Sequence, residues 1–168
     1  MLNLLKKSAT RRALGNRLHA LLTARAREPV FFREFEVPDT LDGRFDILTL
    51  HAWLALEHLE GEAAQGLTDA LFIGFDEAMR EQGVGDIGLG HKMKRFADAF
   101  YGRLGAYGAA ADAEELGAAI ARNLYRGAPS GDIRSRALAD YALAAREYLK
   151  YGAEGALDFG PLPALGTL

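Results

Sequence analysis

The sequence has 168 residues, no cysteine and a formal net charge of -3. This length predicts a single domain, and the absence of cysteine excludes disulfides, thiolate metal sites and cysteine nucleophiles. The charge is unevenly distributed: residues 1–27 hold seven basic and no acidic residues, and residues 91–110 hold four basic residues and one acidic residue. Either these basic segments bind an anionic partner (lipid, nucleic acid or an acidic protein), or they pair with acidic segments inside the fold.

The first predicted element is a basic amphipathic helix over residues 1–28. Leu14, Leu18 and Leu21 share one face at helical spacing, arginine and lysine occupy the other face, and Pro29 ends the helix. We interpret this segment as the first helix of a helical bundle. Two alternatives stay open, because an arginine-rich helix without acidic residues is also typical of membrane-surface helices and of mitochondrial transit peptides.

A second predicted helix, over residues 43–61, is apolar nearly all round. A helix without a polar face is usually the central one of a domain. An apolar connector over residues 31–37 precedes it, and a turn at residues 37–40 leads into it, with Asp39 or Thr40 as the N-cap. The apolar positions of this helix include Ile47, Leu48, Leu50, Trp53, Leu54 and Leu56.

The helix predicted over residues 67–82 is amphipathic, and a glycine-rich segment follows it. Its apolar residues recur at every fourth position: Leu67, Leu71, Phe75 and Met79. Residues 83–88 then spell G-x-G-x-x-G, a dinucleotide-binding pattern only where a strand precedes it. No strand precedes it here, and His91-Lys92 follows where a P-loop requires Lys-Ser/Thr, so we reject both kinds of nucleotide loop.

We interpret these glycines as structural. Gly83 is expected to end the helix before it, Gly85 to permit a sharp turn, and Asp86 to cap the next helix. The predicted structural glycines are Gly83, Gly85, Gly88 and Gly102.

The next predicted helix has an apolar face and a basic one. Its apolar face comprises Met93, Phe96, Phe100, Leu104 and Tyr107. Its basic line comprises Lys92, Arg95, Ala99 and Arg103. A flat strip at Gly102, Gly105 and Ala109 offers another helix a close approach.

Two further helices are predicted over residues 112–127 and 130–152, and residues 153–168 are expected to form an extended C-terminal tail. The inward face of the last helix is predicted to comprise Ile133, Leu138, Tyr141, Ala145 and Tyr148. The fold class is therefore all-α, a single globular domain of about six helices over residues 1–152.

Signals for catalysis are weak. No serine lies in a G-x-S-x-G context, and no helical metal-binding motif occurs. His51 and His58 lie seven residues apart on one predicted helix face, which leaves open a metal or haem site. The favoured interpretation is that each is a core residue with a hydrogen-bond partner. We expect no enzyme, no cofactor and no metal.

Several segments resemble the ubiquinol–cytochrome c chaperone family, and together they cover about residues 24–150. The most specific are GVGDIG at residues 83–88 and, in register with it, AFYGR at residues 99–103. Three more are VPDT at 37–40, GRFD at 43–46 and ARNLYRG at 121–127, and KMK at residues 92–94 also fits.

This resemblance implies an α-helical chaperone for assembly of the cytochrome bc1 complex, with apo-cytochrome b or an early intermediate as client. It implies a location in the cytoplasm, peripheral to the inner membrane, or in the mitochondrial matrix of a eukaryote, near the ribosome. The expected client contacts are Asp86, Lys92, Arg95, Tyr101 and Arg103, with Asp39, Arg44, Arg122 and Tyr125 as secondary ones. The rival hypothesis is a ribosome- or RNA-binding module, or a membrane-surface adaptor, that uses the basic helix faces. The acidic pI of about 5.8 counts against the RNA-binding module, and no DNA partner is expected.

Overall fold

A computed structural model describes residues 2–127, 131–151 and 156–165, and it folds them into seven α-helices without a strand. The all-α class is as predicted. The helices are α1 (Leu2–Ala26), α2 (Pro29–Arg33), α3 (Leu41–Leu56), α4 (Gly61–Glu81), α5 (Asp86–Gly108), α6 (Ala113–Asn123) and α7 (Gly131–Tyr151). The helix beyond the predicted six is α2, which replaces the expected connector because Pro29 starts a helical turn that buries Phe31.

Helix α3 is the central helix, as its continuous apolar character predicts. It packs against α1, α5 and α7, so side chains on all its faces are buried. Thr40 is its N-cap, and the Thr40 hydroxyl accepts a hydrogen bond from the Gly43 amide at 3.2 Å. This hydrogen bond fixes where α3 begins.

Helices α1 and α4 pack together where two glycines meet. A Cβ atom on Gly15 would overlap the carbonyl group of Gly66, so the two backbones touch directly. Leu18 and Leu22 of α1 are fully buried in this contact, whereas Leu21 is 40% exposed. The predicted apolar face with Leu14, Leu18 and Leu21 was therefore wrong at Leu21, because the buried stripe runs through Gly15, Leu18 and Leu22.

The turn between α4 and α5 is a Schellman motif. Gly83 has φ +80°, its amide donates to the Arg80 carbonyl at 2.9 Å, and the Val84 amide donates to the Met79 carbonyl at 3.1 Å. The next residues differ from the prediction. Gly85, with φ -70°, is the N-cap of α5 and needs no glycine conformation. Asp86, the first helical residue, caps no amide.

Helix α5 packs its predicted apolar face inward. Phe100 and Tyr107 are buried, and Met93, Phe96 and Leu104 pack against the core. The strip at Gly102, Gly105 and Ala109 is exposed, and no described atom lies within 4 Å of a Cβ built on either glycine. The close helix approach expected there occurs instead between Gly15 and Gly66.

Helix α7 and the segment after it complete the core. Leu138, Tyr141 and Ala145 of α7 are buried, but Ile133 and Tyr148 are 58% and 46% exposed, so their predicted inward position was wrong. The reason is that α7 has two sets of neighbours, α6 and α3, and buries Ala139, Ala142 and Leu149 instead.

Residues 156–165 have no regular secondary structure and lie along the domain, with Phe159 4% exposed. Arg25 of α1 donates to the carbonyls of Gly160 and Pro161 at 2.9 and 2.8 Å. Within the described part of the chain, no helix combines the length and the apolar character needed to cross a bilayer.

Candidate binding crevice

A cavity of about 330 Å³ lies beside the N-terminal half of α3, between α3, α4 and α5. We call it the crevice. Its half-buried apolar floor comprises Leu41, Val84, Phe96 and Ala99, and the more deeply buried Phe45 and Met79 lie beneath. Its polar lining comprises Asp42, Asp46, Gln82, Lys92, Arg95, Arg103 and Arg126. The crevice therefore combines an accessible apolar surface with a high density of cations.

The helical spacing of α5 places its basic line on the crevice wall. Residues three or four apart on a helix share a face, and Lys92, Arg95, Ala99 and Arg103 all line the crevice. Lys92 and Arg95 are exposed at the rim. Arg103 lies deeper, with its side chain only 15% exposed.

A buried carboxylate at the base of the crevice pairs with two arginines. Asp46 of α3 is fully buried, with Oδ1 2.8 Å from Arg103 Nη2 and Oδ2 2.8 Å from Arg126 Nη1. Burial raises the pKa of Asp46, and the two guanidinium groups oppose that shift. Arg103 also lies 5.1 Å above the ring of Phe45. Arg103 is thus engaged within the protein and is not the free surface cation that the sequence suggested.

Arg126 reaches the crevice from the turn after α6. Its backbone has φ +56°, in the left-handed region that non-glycine residues rarely adopt, and this costs roughly 1 kcal/mol. Its Nη1 donates to Asp46 and to the carbonyl of Asn123 at 2.7 Å. These two hydrogen bonds stabilise the strained residue and point its side chain, still 53% exposed, toward the crevice.

Sequence reasoning missed Asp46 and Arg126 as site residues, although both lie in the family-like segments GRFD and ARNLYRG. A second signal was available for Asp46. An acidic residue inside an otherwise apolar helix is almost never fully buried unless it is paired. The sequence FDILTLHAWLAL therefore predicts a basic partner, but not which one.

Two cations of the crevice have no partner among the described residues. In the part of the chain that the structure describes, Lys92 and Arg95 form no ion pair and no side-chain hydrogen bond. The described lining holds four cations and two carboxylates, Asp42 and Asp46, so its formal charge is +2. Arg103 and Arg126 both pair with Asp46 at the base of the crevice, whereas the two cations without a described partner, Lys92 and Arg95, lie at the rim.

The remaining predicted contacts lie outside the crevice. Asp86 is 2.8 Å from Arg80, and Asp39 is 2.7 Å from Arg44 beside a neighbouring cavity. Tyr125 donates to the carbonyl of Phe35 at 2.7 Å, and burial raises the pKa of its hydroxyl. Two further candidates are exposed: Tyr101, which stacks on Phe72, and Arg122 on α6.

His51 is a core residue. Its Nδ1 donates to the carbonyl of Ile47 at 2.8 Å, and its Nε2 accepts from the Tyr141 hydroxyl at 2.8 Å. Arg25 Nε donates to the same hydroxyl at 2.9 Å. We call Arg25, Tyr141 and His51 the His51 relay. Burial lowers the pKa of His51 to about 4, so the ring is neutral at pH 7, and both nitrogens are already engaged.

Comparisons with known proteins agree with one another. A family model described as ubiquinol-cytochrome C chaperone matches residues 33–160. Ubiquinol-cytochrome-c reductase complex assembly factor 1 of Xenopus laevis is 26% identical over 102 residues, covering 56% of this chain and 51% of that protein. The chain thus spans about half the length of that relative.

A solved structure is similar over nearly the whole chain. The crystal structure of the Cbp3 homolog from Brucella abortus has a TM-score of 0.78 and 36% sequence identity to this protein, and the match covers 93% of this chain and 91% of that one. The family match, residues 33–160, includes every residue that lines the crevice.

Proposed function

Because this chain belongs to the ubiquinol–cytochrome c chaperone family, we propose that it is a non-enzymatic assembly chaperone for the cytochrome bc1 complex. Its client is apo-cytochrome b or an early assembly intermediate that contains it. The observation that supports this proposal is the crevice, in which two cations without a described partner, Lys92 and Arg95, lie beside a half-buried apolar floor. Such a surface suits a protein client that presents apolar segments before they reach their final partners.

The client contacts divide into two groups. Lys92 and Arg95 contact the client directly, because both are exposed at the rim and without an ionic partner among the described residues. Arg103 acts through its position, since its ion pair with Asp46 shapes the crevice. Outer contacts come from Tyr101 and Asp86, and secondary ones from Asp39, Arg44, Arg122 and Tyr125.

The place of action follows from the client. A chaperone for a membrane protein works in the cytoplasm at the inner membrane, or in the matrix of a mitochondrion, close to the ribosome that makes the client. The basic outer face of α1 provides peripheral contact with anionic lipid, and this contact weakens with added salt.

The test is a pull-down of the tagged full chain from respiring cells with and without the gene for cytochrome b, analysed by mass spectrometry. Enrichment of cytochrome b or other bc1 subunits over unrelated membrane proteins is the expected result. Equal enrichment of ribosomes in both strains, without bc1 subunits, would support the ribosome-binding rival, whose RNA affinity falls steeply with salt. Recovery of neither would contradict the proposal.

A further inference from the structure

Building on the proposed function, we propose that the crevice recognises an acidic amphipathic helical segment of its protein partner. In such a segment, carboxylates one helical turn apart flank a large apolar side chain. The apolar side chain occupies the floor, and the carboxylates bind the cations of the rim. Three features of the crevice support this assignment: the spacing of its cations, the charge left over at its rim, and its concave shape.

The spacing of the cations matches a helix. Lys92 and Arg95 lie three residues apart on α5, and such residues are separated by about 5–6 Å between Cβ atoms. Carboxylates three or four residues apart on a partner helix have the same spacing. Two charge pairs can therefore form side by side along one edge of the crevice.

Arg126 provides a third cation on another side of the crevice. Its Nη1 is engaged by Asp46 and the Asn123 carbonyl, whereas its Nε and Nη2 donate to no described group. The side chain is half-exposed and held in place by these two bonds. An arginine that is already positioned loses less side-chain entropy when it binds a carboxylate.

The shape of the crevice favours a protein segment over other anionic partners. A bilayer is flat, so its headgroups reach Lys92 and Arg95 at the rim but leave the recessed floor at Val84 and Ala99 empty. Single-stranded nucleic acid binds through exposed aromatic rings on which bases stack. Of the aromatic rings of the crevice, Phe45 is buried and Phe96 is half-buried, and their ring centroids lie 4.8 Å apart.

The test measures fluorescence anisotropy of the full chain with two labelled helical peptides of about 15 residues. They share leucine and phenylalanine on one face and carry either glutamate or lysine beside it. The glutamate peptide is expected to bind at least about tenfold more tightly, with an affinity that falls as salt is added. Equal binding of the two peptides would overturn the proposal.

A charge-reversal variant locates the site. Lys92→Glu/Arg95→Glu is expected to lower the affinity for the glutamate peptide by at least about tenfold and to raise the affinity for the lysine peptide. The matched control Arg17→Glu/Arg136→Glu makes the same charge change at exposed positions outside the crevice and is expected to bind like the parent chain. Equal losses in both variants would overturn the proposal.

Two further results separate this inference from its competitors and from the proposed function. Binding to phosphatidylglycerol vesicles that depends on Lys92 and Arg95, without discrimination between the peptides, would assign the rim to lipid and overturn the inference. Undiminished recovery of bc1 subunits by Lys92→Glu/Arg95→Glu would also overturn it, while the chaperone assignment would stand.

Discussion

The His51 relay and the crevice both place polar groups in an apolar helical domain, but they differ in how those groups are paired. In the relay, Arg25, Tyr141 and His51 form a chain of hydrogen bonds of 2.8–2.9 Å that ends on the Ile47 carbonyl. In the crevice, four cations face two carboxylates, and two of the cations have no described partner. A fully paired group stabilises the fold, whereas the unpaired cations beside the apolar floor are the groups that we propose contact a partner.

The largest expected effect on stability is at the base of the crevice, where the paired groups Asp46 and Arg103 lie beside the unpaired cations of the rim. Asp46→Ala leaves Arg103 with an uncompensated charge in a nearly buried position and removes the bond that holds Arg126. We expect the free energy of unfolding to fall by about 3 kcal/mol, as measured by urea denaturation. Asp42→Ala, one turn earlier on α3 and exposed, is the control and should cost less than about 1 kcal/mol. Equal losses would contradict the role given to Asp46.

A comparable loss in the free energy of unfolding is expected when the pH is lowered, because His51 of the relay then takes up a proton on unfolding. The pKa of His51 is 6.5 in the unfolded chain and about 4 in the folded protein, so unfolding takes up a proton between these values. The His51 contribution is therefore present above pH 6.5 and is lost as the pH falls toward 4, to a total of about 3 kcal/mol.

His51→Gln isolates this effect from other titrating groups. The parent chain should be the more stable at pH 7, and its advantage over the variant should shrink by about 3 kcal/mol by pH 4. The measurement is urea denaturation of both proteins across this range. A pH-independent difference would show that the His51 ring is not desolvated as described.

A smaller loss is expected from the middle of the relay. Tyr141→Phe removes the hydroxyl that donates to His51 and accepts from Arg25, and leaves the buried His51 Nε2 unpaired. We expect a loss of about 2 kcal/mol, seen as a lower denaturation midpoint with an unchanged slope. Tyr148→Phe, whose side chain is 46% exposed, should change stability little. A neutral Tyr141→Phe would mean that the relay does not stabilise the fold.

The smallest effect is expected at the rim of the crevice. Lys92→Glu/Arg95→Glu should change the free energy of unfolding by no more than about 0.5 kcal/mol, because neither side chain has a described partner to lose. The same denaturation curves measure it. Strong destabilisation would show that the two cations serve the fold, which would remove the contrast between the two regions.

The helices and their apolar faces could be predicted because their signals are local. The four-residue repeat of Leu67, Leu71, Phe75 and Met79 is contained within one helix, and all four side chains are buried. The apolar face of α5 is likewise contained within one helix: Phe100 and Tyr107 are buried, and Met93, Phe96 and Leu104 are half-buried against the core. The spacing grouped Leu21 with Leu18, but it is Leu22 that is buried. Adjacent positions on a helix point in different directions, and the packing partner determines which of them is buried.

Long-range pairings could not be predicted in the same way. The burial of Phe159 depends on contacts with Arg25 and His51, more than a hundred residues away in sequence. The spacing on α5 placed Lys92, Arg95 and Arg103 on one line correctly. It could not show that Arg103 would pair with Asp46, because the partner comes from a different helix.

The most direct test of the central claim places a photo-crosslinking amino acid, p-benzoylphenylalanine, at Ala99 on the crevice floor of the full chain in respiring cells. The control position is Ala118, which is exposed on α6 and outside the crevice. The account predicts a crosslink from position 99, and none from position 118, to cytochrome b or another bc1 subunit. No bc1 subunit crosslinked at position 99, or the same adduct from both positions, would contradict the claim that the crevice binds the client.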